Sequence, residues 1–489
     1  MNTIPVIDIF AGPGGLAEGF SNSGLDLGKN HFENVFSIEK DEFAHRTLQL
    51  RAFYRSAKVK GGDALKDYYD YVTGRGVSRE ELFERHSELS DKVRIEAICA
   101  ELGDRTSDEK ISKRILKLNS TYKDSQKVLV GGPPCQAYSL VGRARMNGDP
   151  NYNKNADIRH KLYREYLSIL KQWKPDVFVM ENVKGLLSAK LGNQMVFNLI
   201  LKDLRDAGYK VYSMAIEGDE NDLNPKDYVL KAEEYGIPQR RHRVILLGIQ
   251  KRHKAIKPPT LKKTPNEMTV KAAISDMPKL RSGISKEEDS NAKYDRLIKN
   301  FRDKYFVNLK LHKNLNRSSE KTKLQAPQKM HKAFYKWVED VKLNIVLNHE
   351  TRTHMRADLE RYFYLATQTQ LTGQSPKLDQ FPEALLPQHK NASSGKFADR
   401  FRVQAAMKPA TTVTSHISKD GHYYIHYDPA QCRSLTVREA ARLQSFPDNY
   451  FFEGPRTQQF HQVGNAVPPL LAYKIAELVK QVLNQISQT

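Results

Sequence analysis

An apolar run, Val6-Ile7-Asp8-Ile9-Phe10, breaks directly into Ala11-Gly12-Pro13-Gly14-Gly15-Leu16-Ala17, and this junction constrains the fold more than any other stretch of the chain. Glycines at such a break permit a tight turn and let the backbone approach a ligand closely. Gly12, Gly14 and Ala17 satisfy the loose G-x-G-x-x-A pattern of a strand–turn–helix nucleotide site, with Gly15 opening the helix. The helix start would then offer free N–H groups. Glu39 ends the next apolar run, Val35-Phe36-Ser37-Ile38, where a second strand would bring a carboxylate to ribose hydroxyls. The pattern is compatible with NAD, FAD or S-adenosylmethionine, and a plain tight turn can carry the same letters.

Short apolar runs recur at residues 128–130, 177–180 and 244–247, with helical periods at 161–173 and 196–207. Strands alternating with helices predict an α/β fold with a doubly wound, mainly parallel sheet. Residues 78–103, rich in Glu, Leu, Arg and Ala, read as a helical insertion. After the run at 244–247 the character changes. Residues 251–330 hold 21 Lys and Arg against 8 Asp and Glu, a local excess of +13, together with Pro258-Pro259, Pro265 and Pro278. Such a segment is either a solvated linker or a surface that follows a phosphate backbone. The whole chain carries +21, which favours a polyanionic partner. Its three cysteines, Cys99, Cys135 and Cys432, lie too far apart in sequence for a disulfide framework or a zinc site and fit a reducing compartment. Absence of a leader pattern and of any run of roughly 18 apolar residues argues against secretion and membrane spanning.

Two strand ends carry candidate chemistry. Residues 128–130 run into Gly131-Gly132-Pro133-Pro134-Cys135-Gln136, and the two prolines stiffen the loop that presents the thiol. A buried structural cysteine is the bland alternative, but Pro-Pro before it and Gln136 after it favour a nucleophile acting as thiolate. The run at 177–180 ends in Glu181-Asn182-Val183, which brings a possible general acid to the same edge. Gln239-Arg240-Arg241-His242-Arg243 enters the last strand, and in an extended segment Arg241 and Arg243 share one face. Two such arginines suit a polar ring, a phosphate or a carboxylate.

With these segments in order, the chain resembles the cytosine-C5 DNA methyltransferase family of bacterial restriction–modification systems. The resemblance extends to residues 433–444, Arg-Ser-Leu-Thr-Val-Arg-Glu-Ala-Ala-Arg-Leu-Gln, and to 462–469, Gln-Val-Gly-Asn-Ala-Val-Pro-Pro. It implies that Phe10, Gly12, Gly14, Gly15, Glu39, Asp63, Pro133, Asn465 and Val467 bind S-adenosylmethionine as methyl donor, with Asp63 near the adenine. It also implies that Cys135 adds to C6 of a flipped-out cytosine in duplex DNA. Glu181 would then bond N3, and Arg243, with Arg241 beside it, would hold O2. The implied architecture is a catalytic domain of residues 1–250 plus 462–489 and a smaller target-recognition domain of 251–461. The implied setting is a bacterial cytoplasm, with double-stranded DNA as partner and a cognate endonuclease acting separately. A tRNA cytosine methyltransferase and a non-catalytic DNA-binding protein on the same fold are the alternatives.

DNA contacts are expected from Gln136 and Ser139 near the thiol, and from Arg352 in the polar stretch Asn348-His349-Glu350-Thr351-Arg352-Thr353-His354. The helix within 433–444, opened by the capping box Thr436-x-x-Glu439, is expected to be scaffold. His416, His422 and His426 hint at a metal, but Ser418-Lys419-Asp420-Gly421 reads as a hairpin turn between strands, so no metal is expected.

Overall fold

The computed structural model describes residues 3–24, 29–134, 158–218, 220–253, 256–312, 315–317, 331–387 and 400–488, with only the backbone at 158–161. Eight strands form one sheet: β1 (Ile4–Ile9), β2 (Phe32–Glu39), β3 (Ala97–Cys99), β4 (Val128–Gly131), β5 (Val177–Val183), β6 (Tyr209–Tyr212), β7 (Val229–Lys231) and β8 (His242–Gln250). Their order is β3-β2-β1-β4-β5-β8-β6, with β7 also on β8. Strands β1 to β5 run parallel, and β8 is antiparallel to β5, β6 and β7.

Alternation along each strand explains why the sheet is covered on both faces. Ile7, Ile9, Leu129, Phe178 and Met180 face one layer, which includes the helices Arg105–Thr121, Ile158–Trp173 and Val196–Asp206. Val6, Val128, Val130, Val177 and Val179 face the other, where the C-terminal helix Pro469–Gln488 packs. That helix lies against Gly15–Ser21 so closely that a Cβ on Gly19 would sit 2.4 Å from the Ala472 Cβ. The insertion expected at 78–103 is helical only in part. It contains helices Arg79–Arg85 and Ser87–Glu96, and then supplies the edge strand β3.

Between Met268 and Ala466 the described residues form a largely separate layer of helices, 3-10 turns, two-residue strands and isolated bridges. The capping box forms: Thr436 accepts from the Glu439 N–H at 3.2 Å, and Glu439 accepts from the Thr436 N–H at 2.8 Å. The expected hairpin at 418–421 does not. Two 3-10 turns, Ser415–Ser418 and His422–Tyr424, flank it instead, with His422, Tyr424 and His426 packed inward and His416 and Tyr423 exposed. Three arginines, Arg433, Arg438 and Arg442, are fully buried and tie this layer together. Arg433 forms a bidentate pair with Glu439 at 2.6 and 2.7 Å, and Arg442 pairs with Asp448 and Asp276. Arg438 donates to the carbonyls of Leu347, Pro447 and Tyr450.

The same layer buries neutral histidines. His349 lies between Thr436 and the Pro278 carbonyl, His354 against Ser434, and His426 beside Glu439. Burial holds His349 and His426 down to about 4 and His354 to about 3. In the unfolded chain each titrates near about 6.5, so protons favour unfolding below that value. The stability that these groups contribute is complete above about pH 6.5 and falls as the pH drops toward about 4. Thermal melts across this window should show a steadily falling midpoint; a flat profile would contradict the burial of these rings as neutral groups.

Candidate active site

The strand order reverses between β1 and β4, and ligands of such sheets bind at the carboxyl ends beside this switch. Phe10 leaves β1 at φ 56°, followed by Gly12 at 57° and Gly14 at 100°. A bulky residue in the left-handed region is held there only by its surroundings, a feature that clusters at ligand sites. A Cβ on Gly15 would fall 2.1 Å from the Val467 carbonyl oxygen, so the turn is seated on residue 467. At Gly12 an added Cβ meets nothing within 4 Å, so that face of the turn is open. Glu39, at the end of β2, accepts from the Gly12 N–H at 2.7 Å and the Asp41 N–H at 2.8 Å. Burial pushes its carboxyl above the usual range, and these N–H groups oppose that shift. An open glycine turn beside a carboxylate suited to ribose hydroxyls fits S-adenosylmethionine.

Asp63 does not join this group. Gly61-Gly62-Asp63 links two helices, Glu42–Lys60 and Gly62–Val72, and Asp63 is exposed in the first turn of the second. The strand beside β2 is β3, whose Cys99 lies in register with Glu39. Asp63, expected near the adenine, thus follows a glycine pair that is a helix junction rather than a strand end. Asn465 is exposed at the end of the helix Arg456–Asn465, 3.2 Å from His461.

The carboxylate and the arginine meet across antiparallel strands. Arg243 on β8 is in register with Val183 on β5, which places Glu181 two residues away on the same face. Arg243 Nε lies 2.7 Å from Glu181 Oε1, and both side chains are only 13 to 14% exposed. Arg243 also donates to the His242 carbonyl. The loop after β4 rests on this pair: a Cβ on Gly132 would lie 2.9 Å from Glu181 Oε2. Asn182 holds the loop from the other side by donating to the Pro133 carbonyl at 3.2 Å. In the sequence Asn182 is only the polar neighbour of Glu181, and nothing local announces its loop contact. The next residues, Cys135, Gln136 and Ser139, lie outside the described residues.

Two arginines expected at the site are engaged elsewhere. Arg241 is buried and donates to the carbonyls of Val413 and Gly464, so it joins β8 to the distal layer instead of facing a ligand with Arg243. Burial and the Arg243 cation pull its guanidinium down to about 9, still protonated at neutral pH. Gln239 makes the same joint through Leu443, Gln444 and Val413. Arg352, expected to contact DNA, is buried. Its guanidinium donates to the Ile417 and Lys419 carbonyls and lies 4.0 Å over the Phe460 ring. His349, Thr351 and His354 around it are also buried, whereas Glu350 and Thr353 are exposed. Among the described residues no group of three His, Cys, Asp or Glu is arranged to hold a metal, and no helix is long and apolar enough to cross a membrane.

The profile of the C-5 cytosine-specific DNA methylases matches residues 91–481. The type II methyltransferase M.Bpa9945I of Bacillus paralicheniformis is 35% identical over 98% of this chain and 99% of its own. M.DdeI of Desulfomicrobium norvegicum is 26% identical over 99% and 90%. A solved structure described as a DNA modification methyltransferase encoded within an E. coli prophage shares the fold, with a TM-score of 0.57 at 18% identity over 99% of this chain and 100% of that one.

Gly132 gives a direct test of the geometry. Gly132→Val should push the Glu181 carboxylate off Arg243 and lower turnover at least tenfold, an effect in the range of a displaced catalytic group. Steady-state kinetics beside a thermal melt would check it, and unchanged turnover in the folded variant would refute the contact.

Proposed function

The chain belongs to the C-5 cytosine-specific DNA methylase family and is a DNA cytosine-5 methyltransferase, and we propose that it acts on one cytosine of a short duplex site through covalent addition of Cys135 to C6. What carries the reading is the Glu181–Arg243 pair, set directly behind the loop that leads to Cys135. C5 of cytosine is a weak nucleophile, and thiolate addition at C6 makes it an enamine-like one. Glu181 would bond N3 as charge builds in the ring, and Arg243 would hold O2 while keeping Glu181 oriented. Once C5 is methylated, loss of its proton expels the Cys135 thiolate. S-adenosylmethionine, when bound, supplies the methyl group as an electrophile. Phe10, Gly12, Gly14, Gly15, Glu39, Pro133, Asn465 and Val467 would hold it.

The target atom is hidden in the base stack, so the cytosine must be flipped out. In this reading residues 1–250 with 462–489 perform the chemistry, and 251–461 read and grip the duplex, helped by the +13 segment and by Gln136 and Ser139. The enzyme is of the type II restriction–modification kind, as its relatives' names are. Its methylation would protect host DNA in a bacterial cytoplasm from a separate cognate endonuclease.

Bisulfite sequencing of genomic DNA from a methylation-free host expressing the chain should show protected cytosines within one short motif. Modified tRNA with unmodified genomic DNA would overturn the substrate. Cys135→Ala should abolish methylation while duplex binding remains, and Glu181→Gln should slow it about 100-fold or more. Turnover by Cys135→Ala would remove the nucleophile from the scheme.

A further inference from the structure

The underside of the glycine turn is held by a residue from the far end of the chain. Tyr450 is fully buried, and its hydroxyl donates to the carbonyl oxygen of Pro13. The same hydroxyl would lie 3.1 Å from a Cβ placed on Gly14, so it fills the space directly beneath the left-handed residue of the turn. Its ring is locked edge-on by Phe446 and flanked by Phe452. The Arg51 guanidinium sits 4.6 Å from the ring centroid and forms a bidentate pair with Glu18, in the helix that the turn opens. From the other side, Arg438 grips the Tyr450 carbonyl.

We propose that Tyr450 is a positioning residue for the methyl donor: its hydroxyl fixes the Pro13 carbonyl, and so orients the Gly12–Gly15 backbone that the donor meets. The inference rests on the reading of that turn as the donor site. Tyr450 has no route to the target base, because its hydroxyl lies under the turn and its ring inside an aromatic cluster. Its loss therefore acts on donor binding and spares duplex binding.

The test is calorimetric titration of the full-length chain and Tyr450→Phe with S-adenosylhomocysteine, alongside duplex binding by anisotropy and steady-state kinetics. Tyr450→Phe keeps the ring and removes one buried hydrogen bond, for which about a tenfold loss of affinity is expected. KM for S-adenosylmethionine should rise by a similar factor, with kcat falling far less and duplex affinity held. Tyr450→Ala, which also removes the ring, should weaken S-adenosylhomocysteine binding further. Affinity of Tyr450→Phe within about twofold of the parent would overturn the proposal. So would a parallel loss of duplex binding, which would make Tyr450 a general core residue. If the parent chain itself takes up no S-adenosylhomocysteine, the donor-site reading falls instead.

Discussion

Three guanidinium groups with almost no access to water organise the distal half of this protein. Taking such cations out of water costs several kcal/mol each, so they persist only where their N–H groups are engaged and their charge is matched. Arg433 has Glu439, whose carboxyl it holds well below the usual range although burial opposes the shift. Arg442 has Asp448 and Asp276. Arg438 bonds three carbonyls, on Leu347, Pro447 and Tyr450. Because each bond has a fixed direction, these arginines set where residues 273–280, 347–348 and 447–450 lie relative to one helix.

That frame reaches the chemistry by two routes. Through Tyr450 it meets the Pro13 carbonyl under the glycine turn. Through Gln239, which bonds the helix end at Leu443 and Gln444, it meets the entrance of β8, four residues before the Arg243 that pairs with Glu181. The helices inserted after β2 add a third tie, with Tyr69 on Asp340, and Tyr71 and Arg79 on Glu453. The layer that would grip DNA and the edge that would modify it are thus joined by buried directional bonds.

The local part of this design is legible in the chain. Strands β1, β2, β4, β5 and β8 announce themselves because each carries a mainly apolar stretch, as strands buried on both faces do. Glu181 is legible because a carboxylate closing such a run has to emerge at the sheet edge. Strand β3 is not: Ala97-Ile98-Cys99 is too short to show a period and follows a helix with a mixed pattern. Asp63 follows a glycine pair that separates two helices instead of ending a strand, a distinction the letters Gly-Gly-Asp do not carry. Arg352 and the histidines near it look like surface chemistry for a related reason. Polar residues are buried where distant carbonyls and hydroxyls receive them, and no local pattern records those partners.

By itself, then, the sequence determined strands β1, β2, β4, β5 and β8, the glycine turn, the capping box and the place of Glu181 at the end of its strand, since all of these follow from periodicity or from residues adjacent in the chain. Only the tertiary structure decided that Arg241 and Arg352 serve as internal braces, that Asn182 steadies the loop before Cys135, and that Tyr450 supports a turn more than 400 residues away. These roles depend on which carbonyl oxygen lies within hydrogen-bonding distance of a buried donor, a property of the packed molecule that no stretch of sequence contains.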